Sequence, residues 1–497
     1  MIDPIPADRA RRARAVVLAG FAALLASSAG CAATGSVSTS ERTTMTTAPP
    51  TGPAADLSGP VAGRITEPAS AMSVRLAAGY AEQEFFAAGT ATAYQTVNPE
   101  PDDGHWTVVP TGTAAYRTRI IVRRPEDPAR FNGTVLVEWF NVSGGVEAAP
   151  DWTYMSSEIV RGGYAYVGVS VQALGVMGGA GLLSVPGVPA GGGLRSTNPD
   201  RYGTLNHPGD QYAYDIYTQV ARAVRADAHR VLGGLQPRHV LAVGESQSAF
   251  YLTSYVDAIE PMSHAFDGFF IHSRSGGAAP IGPESVASSI SGAVRIRTDL
   301  PVPVFMFETE TDLGPLLHYD PARQPDTDRI RTWEVAGTAH ADAYLVGSAA
   351  SFLDCRGSIN EGPGHFVVSA ALRALNRWVT DGTPPPTAPP LQLASTSPPT
   401  VARDAHGNAL GGVRTPAVDA PVAALSGDAP PGSSLLCALF GSTVPFDDTT
   451  LLALYHDRAA YLAAYSTALD AAIHHGYLLA DDRAALLDQA RAVAFPR

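Results

Sequence analysis

One stretch constrains the fold of this chain more than any other: Val240-Leu241-Ala242-Val243-Gly244-Glu245-Ser246-Gln247-Ser248-Ala249-Phe250-Tyr251-Leu252. A β-branched apolar run stops at a glycine, passes one serine and restarts as a small-residue segment with helical apolar spacing, which is the strand, turn and helix of a nucleophile elbow. A serine can stand at the end of a buried strand only if the turn is sharp, so the residues two before and two after it must be small. Gly244 and Ser248 meet that demand, although Ser248 stands where the usual G-x-S-x-G form has its last glycine. Ser248 is itself a poor nucleophile candidate, because Phe250 would then fill the crowded position two residues on. Ser246 is the expected acylating nucleophile. The plainer reading of the same letters is a strand followed by a serine-capped helix.

A serine nucleophile needs a base, and the base needs an orienting acid. Residues 302–307 are an apolar run that predicts a strand leading into Glu308-Thr309-Glu310-Thr311-Asp312. In an extended chain residues 308, 310 and 312 share one face, where close like charges repel, so the chain must turn before the last. Asp312 is the preferred acid and Glu310 the second. Residues 330–336 predict the next strand, ending in Gly337-Thr338-Ala339-His340-Ala341-Asp342. His340 completes the order serine, acid, histidine and is the expected general base. His365, at the start of a helix reaching residue 379, is its rival, and His272 reads as a packed histidine. Residues 134–140 predict a central strand. The loop after it, Asn141-Val142-Ser143-Gly144-Gly145, stands where one backbone N–H of an oxyanion hole belongs, the other coming from the residue after the nucleophile. That assigns the hole to Gln247 with Asn141 and Val142. An ordinary strand-to-helix turn explains the same glycines.

The chain carries a formal net charge of −13 over 497 residues, which argues against nucleic acid as a partner. Arg9, Arg11, Arg12 and Arg14 precede an apolar stretch over residues 15–26, too short to span a bilayer, and then Ser27-Ser28-Ala29-Gly30-Cys31. Basic, apolar and small-residue regions in this order describe an export signal over residues 1–31. Ala29-Gly30-Cys31 is similar to a bacterial lipobox, with Ser28 where leucine is usual. Lipidation of Cys31 would tether the protein to a membrane, and an ordinary cleavage site explains the same letters. Residues 32–57, rich in Thr, Ser, Pro and Ala, read as a flexible tether. The body, residues 58–497, is expected as one large domain. With Cys31 removed or lipidated, Cys355 and Cys437 remain as a pair in an oxidising compartment, and a disulfide between them is expected over two buried thiols.

Within the body, residues 83–97 and 116–123 alternate as half-buried strands do, and residues 152–161 and 212–225 have helical spacing. Residues 172–209 are crowded with Gly, Pro and Leu, lack a period and exceed ordinary connections, which suggests a flap near the site. Residues 381–497 read as an elaboration laid over the body, irregular to residue 442 and closed by helices over 451–475 and 481–494. No metal-ligand spacing, P-loop or dinucleotide fingerprint occurs, so neither cofactor nor metal is expected. His474 and His475 occupy adjacent helix positions and cannot jointly face one ion.

Four segments, Gly133-Thr134-Val135-Leu136-Val137-Glu138-Trp139-Phe140-Asn141-Val142-Ser143-Gly144-Gly145, Gly244-Glu245-Ser246-Gln247-Ser248-Ala249, Gly337-Thr338-Ala339-His340-Ala341-Asp342 and Gly407-Asn408-Ala409-Leu410-Gly411-Gly412-Val413-Arg414-Thr415-Pro416, resemble a group of exported bacterial α/β-hydrolase-domain proteins. The likeness covers nearly all the chain after the tether. It implies the α/β-hydrolase fold, Ser246 and His340 as catalytic residues, and the G-x-S-x-S form of the elbow. The expected architecture is a doubly wound, mostly parallel α/β sheet with a serine hydrolase site at the carboxyl ends of its strands. Hydrolysis of a small-molecule or polymeric carboxylic ester is the first expectation. Amide or lactone cleavage by the same residues, or a non-catalytic surface-anchored binding protein of the same fold, are the alternatives.

Overall fold

The computed structural model describes residues 52–63, 65, 78–185, 191–284 and 292–496. The expected export signal, Cys31 and most of the tether lie outside the described residues. In chain order the main strands are β1 (Asp56–Ser58), β2 (Tyr80–Thr96), β3 (Val108–Pro125), β4 (Thr134–Trp139), β5 (Ala165–Val169), β6 (His239–Glu245), β7 (Gly268–His272), β8 (Val304–Thr309) and β9 (Ile330–Val335). They form one sheet in the order β1-β2-β3-β5-β4-β6-β7-β8-β9. The first three and the β3–β5 pair run antiparallel, and the six from β5 to β9 are parallel.

The parallel half is built from near-continuous apolar runs because helices cover both of its faces. Successive side chains point to opposite sides. β4 therefore sends Val135, Val137 and Trp139 to one core, with Val240, Ala242, Phe269, Ile271, Val304 and Met306, beneath the helix Ala213–Ala226. Leu136 joins Leu241, Val243, Phe270, Phe305 and Trp333 on the other side, beneath the helices Pro150–Gly162 and Gly364–Asp381. The helix Pro150–Gly162 carries the chain from β4 to β5, and the helix Ala213–Ala226 returns it past β4 to β6. The strand order thus reverses between β4 and β6, and open α/β sheets bind ligands in the crevice beyond the strand ends at such a reversal. Ser246 follows β6 directly, and Asn141 stands two residues beyond β4.

Three expectations are corrected. The tether cannot extend to residue 57, since Asp56, Leu57 and Ser58 pair with β2 and Leu57 is buried. A single apolar residue in a polar stretch makes no period, so only the pairing reveals the strand. The helix expected over residues 451–475 is two, Asp448–Tyr455 and Arg458–His475, because Asp457 accepts the Ala460 N–H at 2.8 Å and starts a new helix. The C-terminal elaboration is less irregular than expected. It holds two antiparallel pairs, β10 (Leu393–Thr396) with β11 (Pro399–Val401) and β12 (Ala423–Ser426) with β13 (Ser442–Pro445), and Val413 bridges Val335 at the end of β9. A disulfide joins Cys355 to Cys437, linking this elaboration to the segment that follows His340.

Candidate active site

Ser246 has φ 59° and ψ −121° between β6 and the helix Gln247–Ser254, a backbone conformation that non-glycine residues adopt at a cost of roughly 1–3 kcal/mol. Its N–H donates to the His272 carbonyl at 2.9 Å, which anchors the turn to β7. A Cβ at Gly244 would come within 3.0 Å of both Ser248 Cβ and Leu252 Cδ1. The elbow is therefore tightly packed at position 244 and carries a side chain at 248. The Ser248 hydroxyl is buried there with no hydrogen-bond partner among the described residues.

Three residues from distant segments meet at this turn. His340 Nε2 lies 2.7 Å from Ser246 Oγ, and His340 Nδ1 lies 2.7 Å from Asp312 Oδ1. The pattern fits the tautomer in which Nδ1–H donates to the carboxylate and Nε2 accepts from the hydroxyl. Asp312 is held by its other oxygen, which accepts the Thr309 N–H at 2.6 Å and the Thr309 hydroxyl at 2.8 Å as β8 turns into a short helix. That turn separates Asp312 from Glu310. Glu310 does not reach His340: it accepts the N–H groups of Gly337 at 2.6 Å and Gly427 at 3.0 Å and pairs with Arg403 at 3.0 Å. It thereby staples the loop after β8 to the loop carrying His340 and to the C-terminal elaboration, a role for which the sequence carries no local signal. His365 is not at the site either; it stacks on Tyr344 with centroids 3.7 Å apart, and burial lowers its pKa to about 4.

The loop after β4 faces the elbow. The Asn141 N–H is donated to the Ala148 carbonyl at 3.0 Å, so Asn141 is corrected as an oxyanion donor: the turn back to Ala148 consumes its amide. Its side chain instead donates to the Glu245 carbonyl at 3.1 Å. The Val142 N–H points at the elbow, donating to Gln247 Oε1 at 3.2 Å. Gln247 is the first residue of its helix, where backbone N–H groups lack intrahelical partners. The expected flap rests on this loop: the Leu183 N–H donates to the Ser143 carbonyl at 2.9 Å.

Buried carboxyl groups surround the triplet. Glu245 lies 3.6 Å from His340 Nε2. Burial, then Asp151, Asp312, Glu138 and Asp342 in turn, push its pKa well above the ordinary carboxylate range. Glu138 on β4 accepts the N–H groups of Asp151 at 3.0 Å and Trp152 at 2.9 Å, and the Tyr166 hydroxyl at 2.6 Å. Asp151 lies 2.9 Å from His272 Nδ1, and burial keeps His272 neutral with a pKa near 3. Burial raises Asp342 to about 7, against the Leu345 N–H and the Tyr154 hydroxyl that bond it. The expectations had not included Glu245, although its position immediately before the nucleophile was the available signal. Among the described residues no group of three or more His, Cys, Asp or Glu could hold a metal ion, and no helix is long and apolar enough to cross a membrane.

Solved structures similar to this one include a fungal esterase from Rhizomucor miehei, at 11% identity and TM-score 0.30, covering 59% of this chain and 85% of that one. A putative dienelactone hydrolase from Klebsiella pneumoniae is 8% identical at TM-score 0.29, covering 59% and 98%. A glucuronoyl esterase from Solibacter usitatus is 11% identical at TM-score 0.28, covering 58% and 82%. At scores this low these likenesses carry no weight for the reaction. No curated protein matches the chain. The family model described as "Alpha/beta hydrolase domain" matches residues 50–488, nearly the whole body, and the chain belongs to that family.

Proposed function

We propose that the protein is an exported serine hydrolase that cleaves carboxylic esters, of small molecules or polymers, through an acyl-enzyme. The observation that carries this reading is the unbroken line from Ser246 Oγ through His340 to Asp312, 2.7 Å at each step, on a strained turn at the carboxyl end of β6. Ser246 Oγ attacks the ester carbonyl while its proton passes to His340 Nε2, and Asp312 holds the imidazolium from the Nδ1 side. The oxyanion is received by the N–H groups of Gln247 and Val142. In the free protein the Gln247 carboxamide oxygen takes the Val142 N–H, so this side chain stands in for the oxyanion and gives way when substrate binds. Such donors are typically worth about 10²–10³ in turnover each. His340 then returns the proton to the leaving alcohol, and water repeats the cycle on the acyl-serine.

Export is supported by the basic, apolar and small-residue order of residues 1–31 and by the Cys355–Cys437 disulfide, a bond that persists in oxidising compartments. Attachment through a lipidated Cys31 is tested by mass spectrometry of the mature N-terminus. The reaction is tested by hydrolysis of a graded series of p-nitrophenyl esters by protein beginning at residue 50, beside Ser246→Ala and His340→Ala. Cleavage by the parent and its loss in both variants is the expected result. Labelling of Ser246 by a fluorophosphonate without ester cleavage would turn the reading to amides or lactones, and absence of both would turn it to a non-catalytic binding protein.

A further inference from the structure

The proton-carrying nitrogen of His340 has a second neighbour. Glu245 Oε1 stands 3.6 Å from His340 Nε2, the atom that meets Ser246 Oγ at 2.7 Å. Its other carboxyl oxygen stands 3.5 Å from Asn141 Nδ2, and the same amide group donates to the Glu245 carbonyl at 3.1 Å. The side chain is thus held between the loop after β4 and the imidazole, and it is almost completely buried. Among the described residues no lysine or arginine forms an ion pair with it. The groups that face it are Asp151 and Tyr154 from the helix after β4, Glu138 from β4, Asp312 from the loop after β8, and Asp342 and His340 from the loop after β9; His272 is its register partner on β7.

We propose that Glu245 is a positioning residue of the hydrolytic site, a carboxyl kept in its neutral acid form that fixes the His340 ring against Ser246 without adding charge at Nε2. Deepening the serine hydrolase reading, the inference rests on it. The physical case is one of sign. A carboxylate 3.6 Å from Nε2 would favour the imidazolium and hold on the base the proton it must be free to accept. A neutral acid of the same shape fills the space, keeps the contact with Asn141 and leaves Asp312 as the one charge acting on the ring. Burial first, and the surrounding carboxyl groups after it, keep Glu245 protonated, which gives the acidic crowd a use beyond packing.

The test reads the rate at which a fluorophosphonate labels Ser246 in the full chain, followed across pH, in wild type, Glu245→Gln, Glu245→Ala and Ser246→Ala. Labelling needs the His340 base and no knowledge of the natural ester. The glutamine variant imitates the neutral acid, so it should label within about threefold of wild type with the same acid limb. The alanine variant should label at least tenfold slower, with circular dichroism showing a folded protein. If glutamine is as slow as alanine, the charge of Glu245 is what matters and the inference is overturned. It is equally overturned if folded Glu245→Ala matches wild type in rate and pH profile. Failure of wild type to label at Ser246 would instead remove the serine hydrolase reading itself; a fold lost in alanine but kept in glutamine leaves the glutamine pH profile to decide by the same comparison.

Discussion

Two buried polar clusters lie within this protein and are built on opposite rules. Under the antiparallel half, Arg119 of β3 is fully buried and faces carboxylates on two sides, Glu147 in close contact and Glu84 at 3.7 Å. Glu84 is further held by Arg201 at 2.5 Å and the Tyr202 hydroxyl at 2.8 Å. Every charge there has an opposite. At the carboxyl ends of β4 and β6, Glu138, Asp151, Glu245 and Asp342 share a desolvated layer with neutral His272 and no arginine within the cluster. A balanced cluster can stay ionised because each ion stabilises the next. A like-charged one must shed charge by taking up protons, and groups displaced that far from their ordinary titration are characteristic of functional sites. The first cluster holds the hairpin, the loop before the helix Pro150–Gly162 and the flap together; the second surrounds the residues proposed to do chemistry.

The contrast predicts opposite responses to substitution. The largest effect belongs to the acidic region, where Ser246→Ala or His340→Ala should lower turnover by roughly 10⁴–10⁶ with little change in urea midpoint. Loss of folding instead of turnover would mean the region is merely structural. Arg119→Met, in the balanced cluster, should do the reverse. It strands Glu147 as an uncompensated buried charge and should cost about 3–5 kcal/mol in urea unfolding; a neutral outcome would dissolve the distinction between the clusters.

Asp342→Asn sharpens it further. The folded pKa of Asp342, about 7, lies above its ordinary value of 3.8, so the folded state retains a proton that the unfolded chain releases first. Its contribution to stability is whole below pH 3.8 and is lost as pH rises to about 7. Asparagine, like the protonated acid, keeps an oxygen to accept the Leu345 N–H and offers a donor beside Tyr154, so the variant should be the more stable at pH 8, by a few kcal/mol, with that part of the pH dependence flattened. Equal unfolding curves for variant and parent from pH 4 to 8 would show Asp342 to be ordinary. The smallest effect is at Ser248, whose buried hydroxyl lacks a partner. Ser248→Ala should raise stability by up to about 1 kcal/mol and leave the elbow working, measured by thermal unfolding and ester turnover.

What could be read from residue order was whatever depended on neighbours in the chain. The strand, turn and helix around Ser246, the burial of the parallel strands and the order of Ser246, Asp312 and His340 are local patterns repeated along one chain. The two carboxylates at 310 and 312 show where such reading stops. Only a turn of the short helix after β8 sends one to the imidazole and the other to Gly337 and Gly427, and Gly427 lies more than a hundred residues downstream. The amide of Asn141 reads as a free donor in the sequence because its partner, Ala148, is reached by a loop without a pattern of its own. β1 was invisible for a related reason, since one buried leucine has no period until a second strand supplies its register.

The staple made by Glu310 also sets an order of events in the life of the molecule. The loop bearing His340 is held from outside by the Gly427 N–H through Glu310 and by the Leu439 carbonyl, which accepts the Ala341 N–H at 2.9 Å. A chain that reaches only through the loop after β9 already possesses the serine, the acid and the histidine, yet lacks the braces that fix the last of them. The loop that carries the histidine is therefore braced only once the segment around residue 440 has been made and has folded back.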